Sequence, residues 1–295
     1  MKKLLTGILL LSLSTLMLAE DIDMNKSKGT EQSVIVSLTP PVAQMDVDQN
    51  VIIKVVFDVD LDAKHVKKND IKLKKISDKK KKIKGEVDYL INEKTVTFTA
   101  SELIEDGFYE VEFKSLKTIK ENKHTKIKEI KYRFYVPEVV NGYKLPLEPD
   151  ATINNATLLG VDSNDNGVRD DVERFIVIKY KDHHKIVTEI GFQGARAYQM
   201  IVDNPLNTEE NHKALHDAMD CNFYFESYAQ YFADPVLVDH YIDDQYKSLQ
   251  LNTKSRVRAY LEYDKQLSGG VYTLTKASKM KENCNFDVDA LLGGE

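Results

Sequence analysis

The sequence predicts a multidomain protein, in which an N-terminal all-β sandwich is followed by a mainly α-helical domain entered through a calcium-binding loop. Three observations predict this arrangement. Apolar and polar residues alternate between Ser33 and Val136, whereas beyond residue 151 the apolar residues recur at steps of three and four. A segment rich in aspartate and asparagine, residues 162–173, stands near the start of the second pattern.

Six short segments in the first part of the chain have the composition of β-strands. They are rich in branched and aromatic side chains, and the residues between them are mainly Asp, Asn, Gly and Lys. Several short strands at this spacing are typical of a two-sheet sandwich. The predicted strands cover residues 34–36, 51–57, 71–73, 96–99, 108–113 and 127–135.

The order of these features resembles the bacterial Ig-like domain found in surface-layer and other exported proteins. Pro40-Pro41 opens the segment, VIIKVVFDVDLD contains the early strand, and TVTFTASELIEDGFYEVEF contains the middle. The resemblance implies an Ig-like sandwich at residues 34–137, with Tyr109 as a buried aromatic residue. It also implies a spacer or presentation module, and it transfers no catalytic residues.

The rest of the chain is predicted to consist of a linker and a helical domain. Residues 138–150 contain Gly142, Pro146 and Pro149, so we expect an extended linker. In residues 151–295 the spacing of apolar residues predicts five helices around one core. The first two predicted helices cover residues 171–178 and 185–202, and the third begins near 208 with an apolar stripe that extends to 232. The fourth covers residues 236–249, and the fifth begins at 252 or 253 and ends at 269.

Residues 162–173 have the spacing of a calcium-binding loop. Oxygen-bearing side chains stand at its first, third, fifth, ninth and twelfth positions, and Gly167 stands at the sixth, where the loop must turn sharply. Ca²⁺ binds about six to eight oxygen atoms, and a tight loop supplies them at this spacing. The predicted ligands are the side chains of Asp162, Asn164, Asn166, Asp170 and Glu173 and the backbone carbonyl of Val168.

This segment resembles the EF-hand loop at every ligand position. In paired EF-hands a branched apolar residue follows the carbonyl ligand, but here Arg169 stands there. That departure is closer to the unpaired loops of thrombospondin type 3 repeats, and it implies structural calcium. A metal-free alternative is that Asp170 and Glu173 form a capping box at a helix start, although a cap does not account for the polar residues upstream.

The first nineteen residues have the features of an export signal. Two lysines precede an apolar run that ends at Leu18, and Ala19 is a small residue at the expected cleavage point. Residues 20–33 are expected to be a flexible N-terminal segment. No later stretch predicts a transmembrane segment in the mature chain, so we expect an exported protein of the periplasm, the cell surface or the medium.

The cysteine content and the charge restrict the function further. Cys221 and Cys284 are the only cysteines, and in an oxidising compartment one disulfide is their simplest use, with two buried free thiols as the alternative. Residues 138–295 carry 16 Lys and Arg against 26 Asp and Glu. Nucleic-acid binding needs a basic surface, so a protein or a glycan is the expected partner.

Three functions remain open from the sequence. The first is an exported, non-enzymatic calcium-binding protein with a structural, adhesive or binding role. The second is a secreted metal-dependent hydrolase, since His212 and His216 lie four apart on a predicted helix and could share a metal, with Asp243 and Asp244 as further acids. Asp220 is too far along that helix to join His212 at one ion. The third is a calcium-responsive switch, which requires a second loop motif that the sequence lacks.

Overall fold

The computed structural model describes residues 35–293 except 68–69, 79–81, 115, 121–122, 128, 233, 235–243 and 271–272. The predicted export signal, residues 1–19, and the N-terminal segment, residues 20–33, lie outside the described residues. The chain divides into two compact units between Glu138 and Val139. The first unit is a β-sandwich and the second is mainly helical, so the predicted fold class is confirmed.

The strands of both units are antiparallel. They are β1 Ile35–Thr39, β2 Ile52–Phe57, β3 Ile71–Lys75, β4 Gly85–Leu90, β5 Thr95–Ala100, β6 Gly107–Phe113, β7 Lys117–Lys120, β8 Lys123–Lys126, β9 Ile130–Val136, β10 Val139–Val140 and β11 Tyr143–Lys144. One sheet has the order β1-β2-β5-β4 and the other has the order β3-β6-β9. The pairs β7-β8 and β10-β11 form separate two-stranded ribbons.

The inward faces of the two larger sheets form one hydrophobic core. Tyr109 in β6 is fully buried, its ring stacks on that of Phe134 at 5.6 Å between centroids, and its hydroxyl donates to the carbonyl of Glu105 at 2.9 Å. Burial, with help from the nearby Glu105 carboxylate, raises the pKa of Tyr109 to about 12. The expected buried aromatic residue at this position is therefore confirmed.

The sequence does not predict β4, β7 or β8. β4 is an edge strand, and Glu86, Asp88 and Leu90 on one of its faces are exposed, so its apolar signal is weak. The β7 and β8 segments, KTIK and KHTK, consist mostly of lysine and other polar residues. Neither composition distinguishes a strand from a loop, because pairing with neighbouring strands contributes much of the stabilisation of such strands.

A single buried carboxylate organises a cluster of lysines on the three-stranded sheet. Glu112 is only 3% exposed, and its carboxylate lies 2.8 Å from Lys114 Nζ, 3.3 Å from Lys131 Nζ and 3.5 Å from Lys74 Nζ. Burial by itself would raise the pKa of Glu112. Hydrogen bonds from Lys114 and Lys131 and the charge of Lys74 outweigh this effect of burial, and they lower the pKa of Glu112 to about 2.

Replacing Glu112 with glutamine should lower the free energy of unfolding of the first unit by about 2 kcal/mol at pH 7, because charge-assisted hydrogen bonds are lost. The folded-state pKa lies below the unfolded value, so the stabilisation is fully present above about pH 4.5 and is lost as the pH falls towards 2. Amide hydrogen exchange in β6 would measure this difference at pH 7 and at low pH. The exposed Glu86→Gln is the matched control, and equal exchange in both variants at pH 7 would contradict the prediction.

The second unit contains eight α-helices within the part of the chain that the structure describes. They are α1 Ala151–Ala156, α2 Asp170–Lys179, α3 Lys185–Asp203, α4 Thr208–Phe223, α5 Asp244–Gln250, α6 Lys254–Gln266, α7 Ala277–Met280 and α8 Val288–Gly293. A π-helical turn and a 3-10 turn extend α4 to Phe232, the end of the predicted stripe. The helix predicted at 236–249 is described only from Asp244. The long α3 packs against α2, α4 and α6.

Residues 138–150 differ from the extended linker that their composition predicts. β10 and β11 form a tight hairpin whose turn contains Asn141 and Gly142, with φ values of 49° and 83°. Leu145 just beyond it is fully buried in the core of the helical unit. This segment is part of the helical unit because its apolar side chains find partners there, which proline and glycine content alone does not reveal.

Candidate functional site

The predicted calcium loop, residues 162–173, is a tight turn that leads into α2. The carboxylate of Asp162 accepts hydrogen bonds from the backbone N–H groups of Asn166 at 3.2 Å and Gly167 at 2.8 Å. Gly167 has a φ of +80°, which a residue with a Cβ adopts only at a cost. The first residue of the loop therefore fixes the turn around the sixth.

Three of the five predicted side-chain ligands meet at Glu173. Its carboxylate accepts hydrogen bonds from Nδ2 of Asn166 at 2.8 Å and from Nδ2 of Asn164 at 3.1 Å. The carboxylate of Asp170 accepts one from the backbone N–H of Ser163 at 2.9 Å. The side chains at the third, fifth, ninth and twelfth positions are thus turned into the loop, while that of Asp162 faces the backbone.

Asp170 and Glu173 are desolvated acids, exposed to 1% and 4% respectively. Neither forms an ion pair with a basic side chain among the residues that the structure describes. Burial raises the pKa of Asp170 to about 6. Burial also raises the pKa of Glu173, although the hydrogen bonds from Asn166 and Asn164 and the nearby Arg196 oppose part of that rise. Two buried carboxylates without an ion-pair partner are disfavoured as anions.

The capping-box alternative for Asp170 and Glu173 is wrong. The N-cap residue of α2 is Arg169, and no side chain caps this end of the helix. The two carboxylates accept hydrogen bonds from the loop, through the N–H of Ser163 and the asparagine amides, and not from the helix start. Helix capping therefore does not explain why acids stand at these two positions.

The donor groups of this loop fit a hard divalent cation. They are carboxylate and amide oxygens, and a half-turn of an asparagine amide exchanges its nitrogen for its oxygen at the same place. All-oxygen donor sets favour Ca²⁺ over the transition metals. In the described part of the chain, however, no three His, Cys, Asp or Glu side chains lie close enough together to hold a metal ion by themselves.

Two buried arginines behind the loop do not follow from the sequence patterns. Arg169 is 1% exposed and donates to the carbonyls of Leu249 at 2.7 Å and Gln250 at 3.3 Å, which ties the loop to the end of α5. Arg256 in α6 is completely buried. The one signal in the sequence was Arg169 itself, which stands where paired EF-hands have an apolar residue.

The predicted disulfide is present, and the alternative of two free thiols is wrong. Cys221 in α4 is bonded to Cys284, which lies between α7 and α8, 63 residues further along the chain. Cys221 is fully buried in a second hydrophobic cluster of the helical unit. That cluster includes Val288 of α8, so the bond fixes the C-terminal segment to the core.

The two histidines of the hydrolase alternative lie together on α4. The ring centroids of His212 and His216 are 6.0 Å apart, and His216 Nδ1 lies 3.3 Å from a carboxylate oxygen of Asp220. Burial and the neighbouring His216 lower the pKa of His212. Asp243 and the side chain of Asp244, the acids proposed to accompany them, lie outside the described part of the structure.

Comparison with protein families identifies the first unit. The model of the bacterial Ig-like domain family Big_5 matches residues 29–135, which is less than half of the chain. The Ig-like domain and the disulfide are consistent with a location outside the cytoplasm. No curated protein matches the chain significantly. Within the described residues, every helix is too short or too polar to cross a bilayer.

Several solved structures are similar to part of the chain. CopC from Methylosinus trichosporium OB3b is 18% identical, with 36% of this chain and 93% of that chain covered and a TM-score of 0.28. Domains 1–6 of the surface layer protein SbsC are 16% identical, with 38% of this chain and 14% of that chain covered and a TM-score of 0.27. PcoC, a methionine-rich copper resistance protein from Escherichia coli, is 18% identical, with 35% of this chain and 95% of that chain covered and a TM-score of 0.28.

Proposed function

We propose that this protein is an exported, non-enzymatic calcium-binding protein of the cell envelope or the medium. Its Ig-like unit acts as a spacer, and its helical unit, stabilised by calcium and by the disulfide, carries a structural, adhesive or binding role towards a protein or a glycan. The observation that supports calcium most directly is the pair of buried acids, Asp170 and Glu173, which face Asn164 and Asn166 inside one loop.

The electrostatics of the loop supports a cation. Removing a carboxylate from water is unfavourable unless a positive charge or several hydrogen bonds compensate it. Asp170 and Glu173 have hydrogen bonds but no ion-pair partner in the described structure. A bound Ca²⁺ supplies the missing charge, with Asp162, Asn164, Asn166, the Val168 carbonyl, Asp170 and Glu173 as its ligands.

Calcium in this loop would stabilise the helical unit through α2. Val172 and Ile176, in the first and second turns of that helix, are fully buried in the core, and Val168 of the loop is buried with them. A ligand that binds only the folded loop therefore stabilises the packing of α2. A single loop without a partner loop favours a structural role over the calcium-responsive switch.

The calcium proposal predicts a stability change that depends on Glu173. In wild-type protein, calcium at ten times its Kd should raise the free energy of unfolding by about 1.4 kcal/mol. We expect a Kd on the order of 10⁻⁴ M, as in other extracellular modules. Glu173→Gln removes the carboxylate that closes the loop and should weaken calcium binding at least about tenfold. Calorimetric titration and helical circular dichroism during urea unfolding would measure both effects.

Asp165→Asn is the matched control for this experiment. Asp165 lies inside the same loop, is exposed, and is not a predicted ligand; its φ of 56° suits asparagine as well as aspartate. The control should bind calcium nearly as the wild type does. Calcium affinity equal in Glu173→Gln and Asp165→Asn, or no change in unfolding on adding a chelator to the wild type, would contradict the proposal.

A further inference from the structure

The histidine pair on α4 has a spacing that suits one shared metal ion. With a metal–nitrogen distance of about 2.0–2.1 Å, each ring centroid lies about 3.2 Å from the metal. The centroids are then about 5.3 Å apart for a tetrahedral angle at the metal and about 6.5 Å apart for a linear one. The observed separation of 6.0 Å between His212 and His216 falls between these limits.

A second, independent observation concerns the carboxylate behind this pair. Asp220 is 7% exposed, and one of its oxygens lies 3.3 Å from His216 Nδ1. This distance suits the tautomer with its proton on Nδ1, towards the carboxylate, and that tautomer leaves the lone pair of Nε2 for a metal. A carboxylate in this position is the usual partner of a metal-binding histidine.

The carboxylate is itself held by the C-terminal segment. Asn283 Nδ2 donates to Asp220 Oδ2 at 2.7 Å, and the carbonyl of Asn283 accepts a hydrogen bond from Gln193 of α3 at 2.8 Å. The next residue, Cys284, is bonded to Cys221, the neighbour of Asp220. The Asp220 carboxylate therefore accepts one hydrogen bond, from Asn283, and Asn283 is itself held by the Gln193 hydrogen bond and by the adjacent disulfide.

We propose that His212 and His216 form a binding site for a divalent transition-metal ion of the zinc class, with Asp220 as the residue that positions His216. Imidazole nitrogen favours zinc, copper and nickel over calcium, so this site is chemically distinct from the calcium loop. Because no third His, Cys, Asp or Glu in the described structure completes the site, water or a group from a bound partner occupies the remaining positions. The inference does not depend on calcium binding.

The probe for this proposal is Zn²⁺ titrated calorimetrically into the full exported chain in the presence of excess calcium. We expect one zinc ion to bind, with His212→Ala and His216→Ala each weakening binding at least about tenfold. Asp220→Asn should weaken it about 10- to 100-fold, the usual effect of losing the carboxylate behind a histidine ligand. His65→Ala, which removes a histidine from the first unit, is the matched control and should leave zinc affinity unchanged.

Three further measurements distinguish zinc binding at these histidines from zinc binding elsewhere on the chain. Zinc should shift the ring-proton NMR resonances of His212 and His216 but not that of His65, and His212→Ala should keep the wild-type unfolding temperature without zinc. Glu173→Gln should retain zinc affinity even where calcium binding is lost. Zinc affinity equal to the wild type in both histidine variants, or lost in Glu173→Gln alone, would overturn the proposal.

Discussion

Replacing Arg256 with methionine should lower the free energy of unfolding of the helical unit by at least about 3 kcal/mol, the largest effect that we expect from a single side chain. The guanidinium is completely buried and donates to the backbone carbonyls of Leu158 at 2.9 Å and Asn154 at 2.7 Å. It also donates to Oδ1 of Asn155 at 3.0 Å and to Oδ1 of Asn252. Methionine fills similar volume but leaves these acceptors buried without donors.

The Arg256 side chain supplies hydrogen-bond donors at the end of a short helix. The last carbonyls of a helix have no N–H partner within it, and here the arginine reaches those at the end of α1. Gly160 allows this approach, because its φ is +80° and an added Cβ would come within 2.8 Å of Arg256 Nη2. The loss should therefore free α1 and the start of the predicted calcium loop together.

Urea unfolding followed by the helical circular dichroism signal measures this effect, since the first unit is a β-sandwich. Arg258→Met is the control, because Arg258 lies on the same helix and is exposed, and it should change stability by less than about 0.5 kcal/mol. Lysine at position 256 should recover only part of the loss, since a single ammonium cannot reproduce the fork of donors. A loss in Arg256→Met no larger than that in the control would contradict this account.

Removing the disulfide should cost the helical unit about 4 kcal/mol. The bond closes a loop of 63 residues, and in the chain-entropy model a loop of this length restricts the unfolded chain by that amount. The segment that it holds contains the short helices α7 and α8, which have too few residues to be stable by themselves. The variant with alanine at both Cys221 and Cys284 should therefore unfold at lower urea concentration.

Amide hydrogen exchange would locate the effect of the double variant. Exchange should increase most in α7 and α8, and least in α3, whose side chains pack against several helices. Adding a reductant should destabilise the wild type towards the variant and leave the variant unchanged. A loss below about 1 kcal/mol with protected amides in α7 and α8 would show that packing alone holds this segment.

The parts of the fold that the sequence predicted are those with a strong local pattern. The strands β2, β5 and β6 bury apolar side chains at alternate positions, such as Val96 and Phe98 in β5, so their period-two pattern is visible. The helix α3 is buried along much of its length and begins at the predicted Lys185. Segments such as β4, α1 and α8 escaped prediction because they are short or half exposed, and neighbours supply much of their stabilisation.

The candidate sites were likewise predictable from the sequence only where their residues lie close together along the chain. The spacing within residues 162–173 predicted the loop and its turn at Gly167, since ligand positions in a short loop are local in sequence. The spacing of His212 and His216 likewise placed both rings on one helical face. The sequence did not reveal that Asn283 donates a hydrogen bond to Asp220, because that contact joins two segments 63 residues apart.

The sequence by itself determined the two-part architecture and the candidate calcium ligands, because both depend on residue type and near-neighbour spacing. Only the tertiary structure decided which polar groups are buried. It placed Arg256 under the end of α1, left Asp170 and Glu173 desolvated inside the loop, and excluded the helix cap for both acids. The cost of burying a charge depends on partners that the folded chain brings from distant positions, and no local pattern specifies them.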